Sequence, residues 1–215
     1  MRGALLLTIG LATVCGNAQV TLFNSPDPAN NASVRESWLA AAGVATPDVV
    51  EDFESYAIGT ALSGVTLTGG LVITELDPSP LMSVQSSSAF FGSSVPFGQG
   101  LAVRENRALR FDFAAPLSYV GFYDIDQSGS DLRVFLADNT FVDFNNFDTT
   151  GSSGLSGEFL GVVSSGPAIT GLLYAVQGGD SEAGIDSVEF EAVPEPATMI
   201  ALAIGATVVG RRKRK

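Results

Sequence analysis

Leu109–Phe144 reads LRFDFAAPLSYVGFYDIDQSGSDLRVFLADNTFVDF. Leu109, Phe111 and Phe113 alternate with Arg110 and Asp112, the period of a half-buried strand. The spacing predicts further strands over Tyr119–Tyr123, Leu132–Ala137 and Thr140–Phe144. Asp138-Asn139 reads as the hairpin turn between the last two, because Asn tolerates positive φ. Working outward, the same signals predict strands over Val49–Phe53, Val65–Thr68, Leu71–Glu75, Ser83–Phe91, Glu158–Val163, Ile169–Gln177 and Ile185–Ala192. In the last, Val188 and Phe190 share a face. Short strands between frequent turns, in a chain with 24 glycines, predict a mostly β fold, an antiparallel jelly-roll-like sandwich. Residues 151–157 (GSSGLSG) read as a loop, and no internal repeat or domain break is visible.

One short helix is expected ahead of the strands. Val34, Trp38 and Leu39 follow a helical period over about 33–42. Ser33 and Glu36 have capping-box spacing, and Gly43 suits a helix C-terminus. Trp38, the lone tryptophan, reads as core packing in preference to a sugar contact. The reading divides the chain into a signal peptide (1–18), a linker with the helix (19–48), a sandwich (49–193) and a C-terminal segment (194–215).

The chain has 215 residues, 46% hydrophobic and 16% charged, with a net charge of −12. That average hides an asymmetry. Arg2 and Arg211, Arg212, Lys213, Arg214 and Lys215 lie at the extreme ends. All 23 acids fall between Asp27 and Glu195, against five arginines, a net of −18 for that span. Such a surface repels phosphate backbones, which excludes nucleic acid, and attracts divalent cations. Histidine is absent, which excludes Ser-His-Asp, Cys-His and His-ligated zinc chemistry. The one cysteine, Cys15, lies in the leader, so no disulfide framework is expected.

Both ends are distinctive. Arg2, the apolar run Ala4–Val14 and the small residues Gly16 and Ala18 make a signal peptide cut between Ala18 and Gln19. A lipoprotein cut at Cys15 is disfavoured by Val14 before it. At the other end stand Pro194-Glu195-Pro196, the apolar run Ala197–Gly210, and then the basic cluster Arg211–Lys215. As a helix the run reaches about 21 Å against about 30 Å of hydrocarbon. The basic cluster keeps to the cytoplasmic side.

This ending resembles the PEP-CTERM sorting signal of Gram-negative bacteria. The resemblance implies recognition by an exosortase, an inner-membrane-anchored intermediate held by the C-terminal helix, cleavage near Pro194–Pro196, and delivery to the cell surface or an exopolysaccharide matrix. The body resembles the β-sandwich ectodomains of such proteins, and more loosely carbohydrate-binding jelly rolls. The likeness rests on Glu51-Asp52-Phe53-Glu54 with Gly59-Thr60 near the start and on Gly184–Phe190 at the end. It implies that the first and last strands are neighbours and that acids on them hold a structural calcium.

Calcium takes about six to eight oxygen ligands. Two sets of acids are candidates: Asp52 or Glu54 with Asp186, and the local run Asp124, Asp126, Ser128 and Asp131. That run, with Gly129 at the sixth place, opens like an EF-type loop, but Phe135 stands where the bidentate Glu belongs. The plainer readings are solvated surface charge and a polar turn. Three functions follow: a non-catalytic structural or adhesive surface protein, a carbohydrate-binding module displaying Tyr56, Tyr119, Tyr123 or Tyr174, and a glycoside hydrolase built on paired carboxylates. The first is the expectation; the chain is not expected to be an enzyme.

Overall fold

The computed structural model describes residues 20–25, 28–76, 82–86, 98–103, 108–125, 129–145, 157–177 and 183–192. The signal-peptide cut at Ala18 and Gln19, the loop residues Asp126 and Ser128, and the tail from Pro194 through Lys215 lie outside them. Among the described residues no helix is long and apolar enough to cross a membrane.

The elements run β1 (Val20–Asn24), α1 (Asn31–Ala42), β2 (Val49–Glu51), β3 (Val72–Glu75), β4 (Ser83–Ser86), β5 (Gln99–Val103), β6 (Ala108–Leu117), β7 (Tyr119–Ile125), β8 (Gly129–Leu136), β9 (Phe141–Phe144), β10 (Gly157–Ser164), β11 (Ile169–Gln177) and β12 (Ala183–Phe190). They build two antiparallel sheets. The larger has the order β1-β10-β7-β12-β5-β4, with β2 also on β12; the smaller has the order β3-β6-β11-β8-β9. From β3 onward the chain changes sheet at each step except the β4–β5 and β8–β9 hairpins. This is the jelly-roll-like sandwich that the strand spacing predicts.

Alternation supplies the core. Leu109 and Phe111, Phe122, Leu132 and Val134, Leu172 and Tyr174, and Val188 and Phe190 are all buried between the sheets. The Phe111 and Phe122 rings stack across the gap with centroids 5.3 Å apart. In the β8–β9 hairpin Asn139 adopts φ 65°, as its turn requires. Asp138 Oδ1 accepts from Thr140 N and Oγ1 and closes the loop.

The helix makes a third layer, against β10 and β7 on the outer face of the larger sheet. Gly43 ends it at φ 77°, with Gly43 N donating to Ala40 O and Val44 N to Leu39 O. The capping box is not used: Ser33 Oγ donates to the Asn30 carbonyl. Trp38 is fully buried, and its Nε1 donates to Val162 O at 3.2 Å. The indole fits because Gly161 and Gly121 face each other across the β10–β7 pair. A Cβ on Gly161 would stand 2.6 Å from Trp38 Cδ1, and one on Gly121 would stand 3.1 Å from its Cζ2. The two glycines are a notch cut for this ring.

The structure differs from expectation at three places. The segment 19–48, read as linker and helix, contains an edge strand as well: β1 pairs with β10 in register from Val20↔Ser164 to Asn24↔Leu160. Val65–Thr68 is not a strand; Gly69 and Gly70 take positive φ and reverse the chain in a tight turn, leaving an isolated Thr66↔Val72 bridge. Of the strand expected over Ser83–Phe91, Ser83–Ser86 is β4, and residues 87–91 lie outside the described residues. A strand that the pattern did not announce, β5, lies between β4 and β12.

Gly161→Ala should cost about 1–3 kcal/mol of unfolding free energy by overpacking, and much less in a Trp38→Ala background. Urea unfolding of the four combinations measures that coupling.

Candidate cation site at the β12 break

β12 has two edges and three partners. One edge carries β7. The other is divided, with β5 on Ala183–Ile185 and β2 on Val188–Phe190. The division falls at Asp186 and Ser187, where the β7 register also shifts and Ser187 takes φ 45°. A non-glycine residue held there costs of order 1–3 kcal/mol.

Asp186 is fully buried in this break. Its Oδ1 accepts from Ser187 N at 2.6 Å, and Ser187 Oγ lies 3.4 Å away. Its Oδ2 has no hydrogen-bond partner among the described residues. Burial pushes the carboxyl up to about 8; the Ser187 amide bond opposes this, and the charges of Glu54 and Asp52 add to it.

Glu54 and Asp52 are brought in by the end of β2. Glu51 is buried and pins that end: its carboxylate accepts from Phe53 N, Thr68 N and Tyr56 OH. Phe53 then takes φ 59° with its ring buried in the core. Asp52 and Glu54 are left exposed on either side. From β5, Gln99 N and Nε2 donate to the two oxygens of Glu54 at 2.7 and 3.2 Å. The Gln99 side-chain carbonyl Oε1 is buried without a hydrogen-bond partner. Gly98, at φ 83°, leaves the space that Glu54 Oε1 occupies.

Thus the break holds a buried Asp186 oxygen that lacks a donor and feels the charges of Glu54 and Asp52, while Gln99, which donates to Glu54, has a buried side-chain oxygen that also lacks a donor. Acceptors without donors suit a cation. Among the described residues no three acidic side chains draw close enough to enclose an ion alone. A hard cation here would draw on Asp186, Asp52 or Glu54 just beyond β2, the Gln99 carbonyl, backbone oxygens and water. Gln99 was missed from sequence; an amide in a five-residue strand leaves no pattern to read.

Of the second predicted set only Asp124 and Asp131 lie among the described residues, on strands of different sheets. Asp124 is buried, two residues along β7 from core-facing Phe122, with Glu158 directly opposite on β10. Asp131 lies on β8 in the other sheet and alternates with core-facing Leu132, so it points outward. Asp126 and Ser128 are outside the described residues.

Tyr119, Tyr123 and Tyr174 are buried and Tyr56 is half-buried, so they form no sugar platform. Among the described residues the exposed large aromatic is Phe141, 52% accessible, on edge strand β9. Its cross-strand partner is Phe135. The Arg133 guanidinium lies 4.1 Å from the Phe141 centroid, and that of Arg110 lies 4.1 Å from the Phe135 centroid.

Residues 192–215 match the family model for the PEP-CTERM protein-sorting motif. The chain therefore ends in a PEP-CTERM sorting tail. This tail indicates export, a membrane-anchored intermediate and exosortase processing. No curated protein sequence matches the chain. Among solved structures the chain is similar to the K1 cleaved adhesin domain of Lys-gingipain from Porphyromonas gingivalis W83, at 12% identity and TM-score 0.42, covering 67% of this chain and 98% of that one. It is similar to a low-affinity xylan-binding module from Roseburia intestinalis, at 11% identity and TM-score 0.31, covering 57% and 96%. It is also similar to a family 11 carbohydrate-binding module from Clostridium thermocellum, at 10% identity and TM-score 0.31, covering 66% and 92%.

The Asp186 carboxyl sets a pH dependence for the metal-free protein. Between about pH 4 and 8 the folded state holds a proton that the unfolded state has released, so stability falls as pH rises across that window. In EDTA, urea midpoints should decline from pH 5 to pH 8. Asp186→Asn should flatten that decline; an unchanged slope in the variant would place the titration elsewhere.

Proposed function

We propose that the PEP-CTERM chain is a non-catalytic structural or adhesive protein of the cell surface or extracellular matrix, its sandwich completed by a structural calcium at Asp186. The observation that carries this reading is the buried Asp186 Oδ2, which lacks a donor and feels the charges of Glu54 and Asp52. Calcium fits this all-oxygen donor set, with water and backbone carbonyls filling its shell. In the sorting step an exosortase recognises Pro194-Glu195-Pro196 while Arg211–Lys215 remain on the cytoplasmic side. Other buried acids are engaged in structure, which supports a scaffold over an enzyme. Glu51 pins β2, and Glu189 pairs with Arg35 of α1 at 2.8 Å.

Thermal unfolding tests the calcium. At about 100 times its Kd, calcium should raise the midpoint by about 5–10 °C. EDTA should reverse the rise, and Asp186→Ala should abolish it. A midpoint unmoved by millimolar calcium would remove the ion from the account.

A second reading, binding of exopolysaccharide, is favoured by the exposed Phe141 ring flanked by Arg133 and Asp143, whose side chains pair at 2.6 and 2.9 Å. A sugar ring stacks on such an aromatic while planar polar groups bond its hydroxyls. In affinity electrophoresis through the host's own exopolysaccharide, the protein should be retarded and Phe141→Ala should run free. Equal mobility of the two would discard this reading.

A further inference from the structure

The described residues run to Ala192, the first residue of the sorting tail. Two residues beyond Phe190 are still tied down. The Glu191 carboxylate accepts from Ser118 N and Ser118 Oγ, both at 2.7 Å, in the link between β6 and β7. Ala192 N donates to Asp48 Oδ2 at 3.1 Å. Asp48 is itself set just before β2, its amide directed at Tyr119 OH at 3.3 Å. Pro194 follows Ala192 by two residues, so chain geometry alone confines it to within about 7 Å of the anchored Ala192.

A processing enzyme must draw several residues on each side of the cut into its own cleft, and a folded chain yields them by local opening. From this we infer that Ser118 and Asp48 form a clamp on Glu191 and Ala192 that withholds the Pro194–Pro196 motif from the exosortase until the clamp opens. The inference rests on the reading that the tail is cut near that motif. Ser118 and Asp48 are positioning residues here and take no part in the cleavage chemistry. The clamp also couples sorting to folding, because Asp48 and Ser118 come together with Glu191 when β2, β7 and β12 pair.

The test is pulse-chase of the full chain in its own host, following the mass shift on loss of the tail. Glu191→Ala removes the clamp's anchor. An insertion of about eight Gly and Ser residues between Ala192 and Val193 leaves the clamp intact and adds roughly 15 Å of slack. Each should speed processing about threefold to tenfold, since cleavage follows the open population. The double variant should run no faster than the insertion alone, which a merely destabilised body would not reproduce. Processing of the insertion variant at the wild-type rate would overturn the clamp while leaving the tail reading intact. A wild-type chain that is never cut would remove both.

Discussion

The structure turns on the division of β12's outer edge. A strand has two sides, and this one serves three neighbours, so β2 and β5 must stop short of each other. At the gap the ladder lapses, Ser187 enters the left-handed region and Asp186 is driven inward. An unsatisfied buried polar atom costs about 1–3 kcal/mol, and so does each positive-φ residue. Those penalties persist because β2, β5 and β7 hold the site from three directions. A proton on Asp186 relieves the charge in the metal-free state. On the proposed reading a cation would relieve it better, because it would also answer the charges of Glu54 and Asp52.

The helical layer is joined to the same strand. Trp38 seats α1 in the notch of Gly121 and Gly161, and Arg35, three residues earlier, reaches Glu189. Burial raises the Glu189 carboxyl above its ordinary range and the Arg35 guanidinium pulls it back. Removing either partner would strand the other beside Tyr123, whose hydroxyl burial and Glu189 already hold above its usual range. Breaking such a pair costs more than the pair contributes. The N-terminal part of the chain is thereby integral to the fold, β1 as an edge strand of the larger sheet and α1 as a layer over it, and the strand that carries the candidate cation site also anchors the helix.

Much of the fold was legible because it follows from side-chain alternation. Leu109 with Phe111, and Val188 with Phe190, declare their buried face in the sequence, and Asn139 and Gly43 declare their backbone conformations. β1 was hidden because Val20–Asn24 directly follows the leader and carries no turn signal. β5 was hidden because Gln99-Gly100 has no apolar alternation. Val65–Thr68 misled in the opposite sense: β-branched residues suggested a strand, but Gly69 and Gly70 decided the backbone. At the site, Asp52, Glu54 and Asp186 stood out as acids on the first and last strands of the predicted sandwich. Gln99 did not, because its role depends on which edge β5 joins. The Asp124–Asp131 run spans the crossover from β7 to β8, so its two ends belong to different sheets, and Asp126 and Ser128 between them lie outside the described residues.

The most direct test of the account is a crystal structure of the exported chain grown in saturating calcium, with the ion identified by its anomalous scattering. A calcium is expected within about 2.3–2.6 Å of Asp186 Oδ2, with Asp52, Glu54 or the Gln99 side-chain carbonyl in the same shell. Asp186 Oδ2 hydrogen-bonded to water or to a protein donor, with no ion in the β12 break at that concentration, would contradict it.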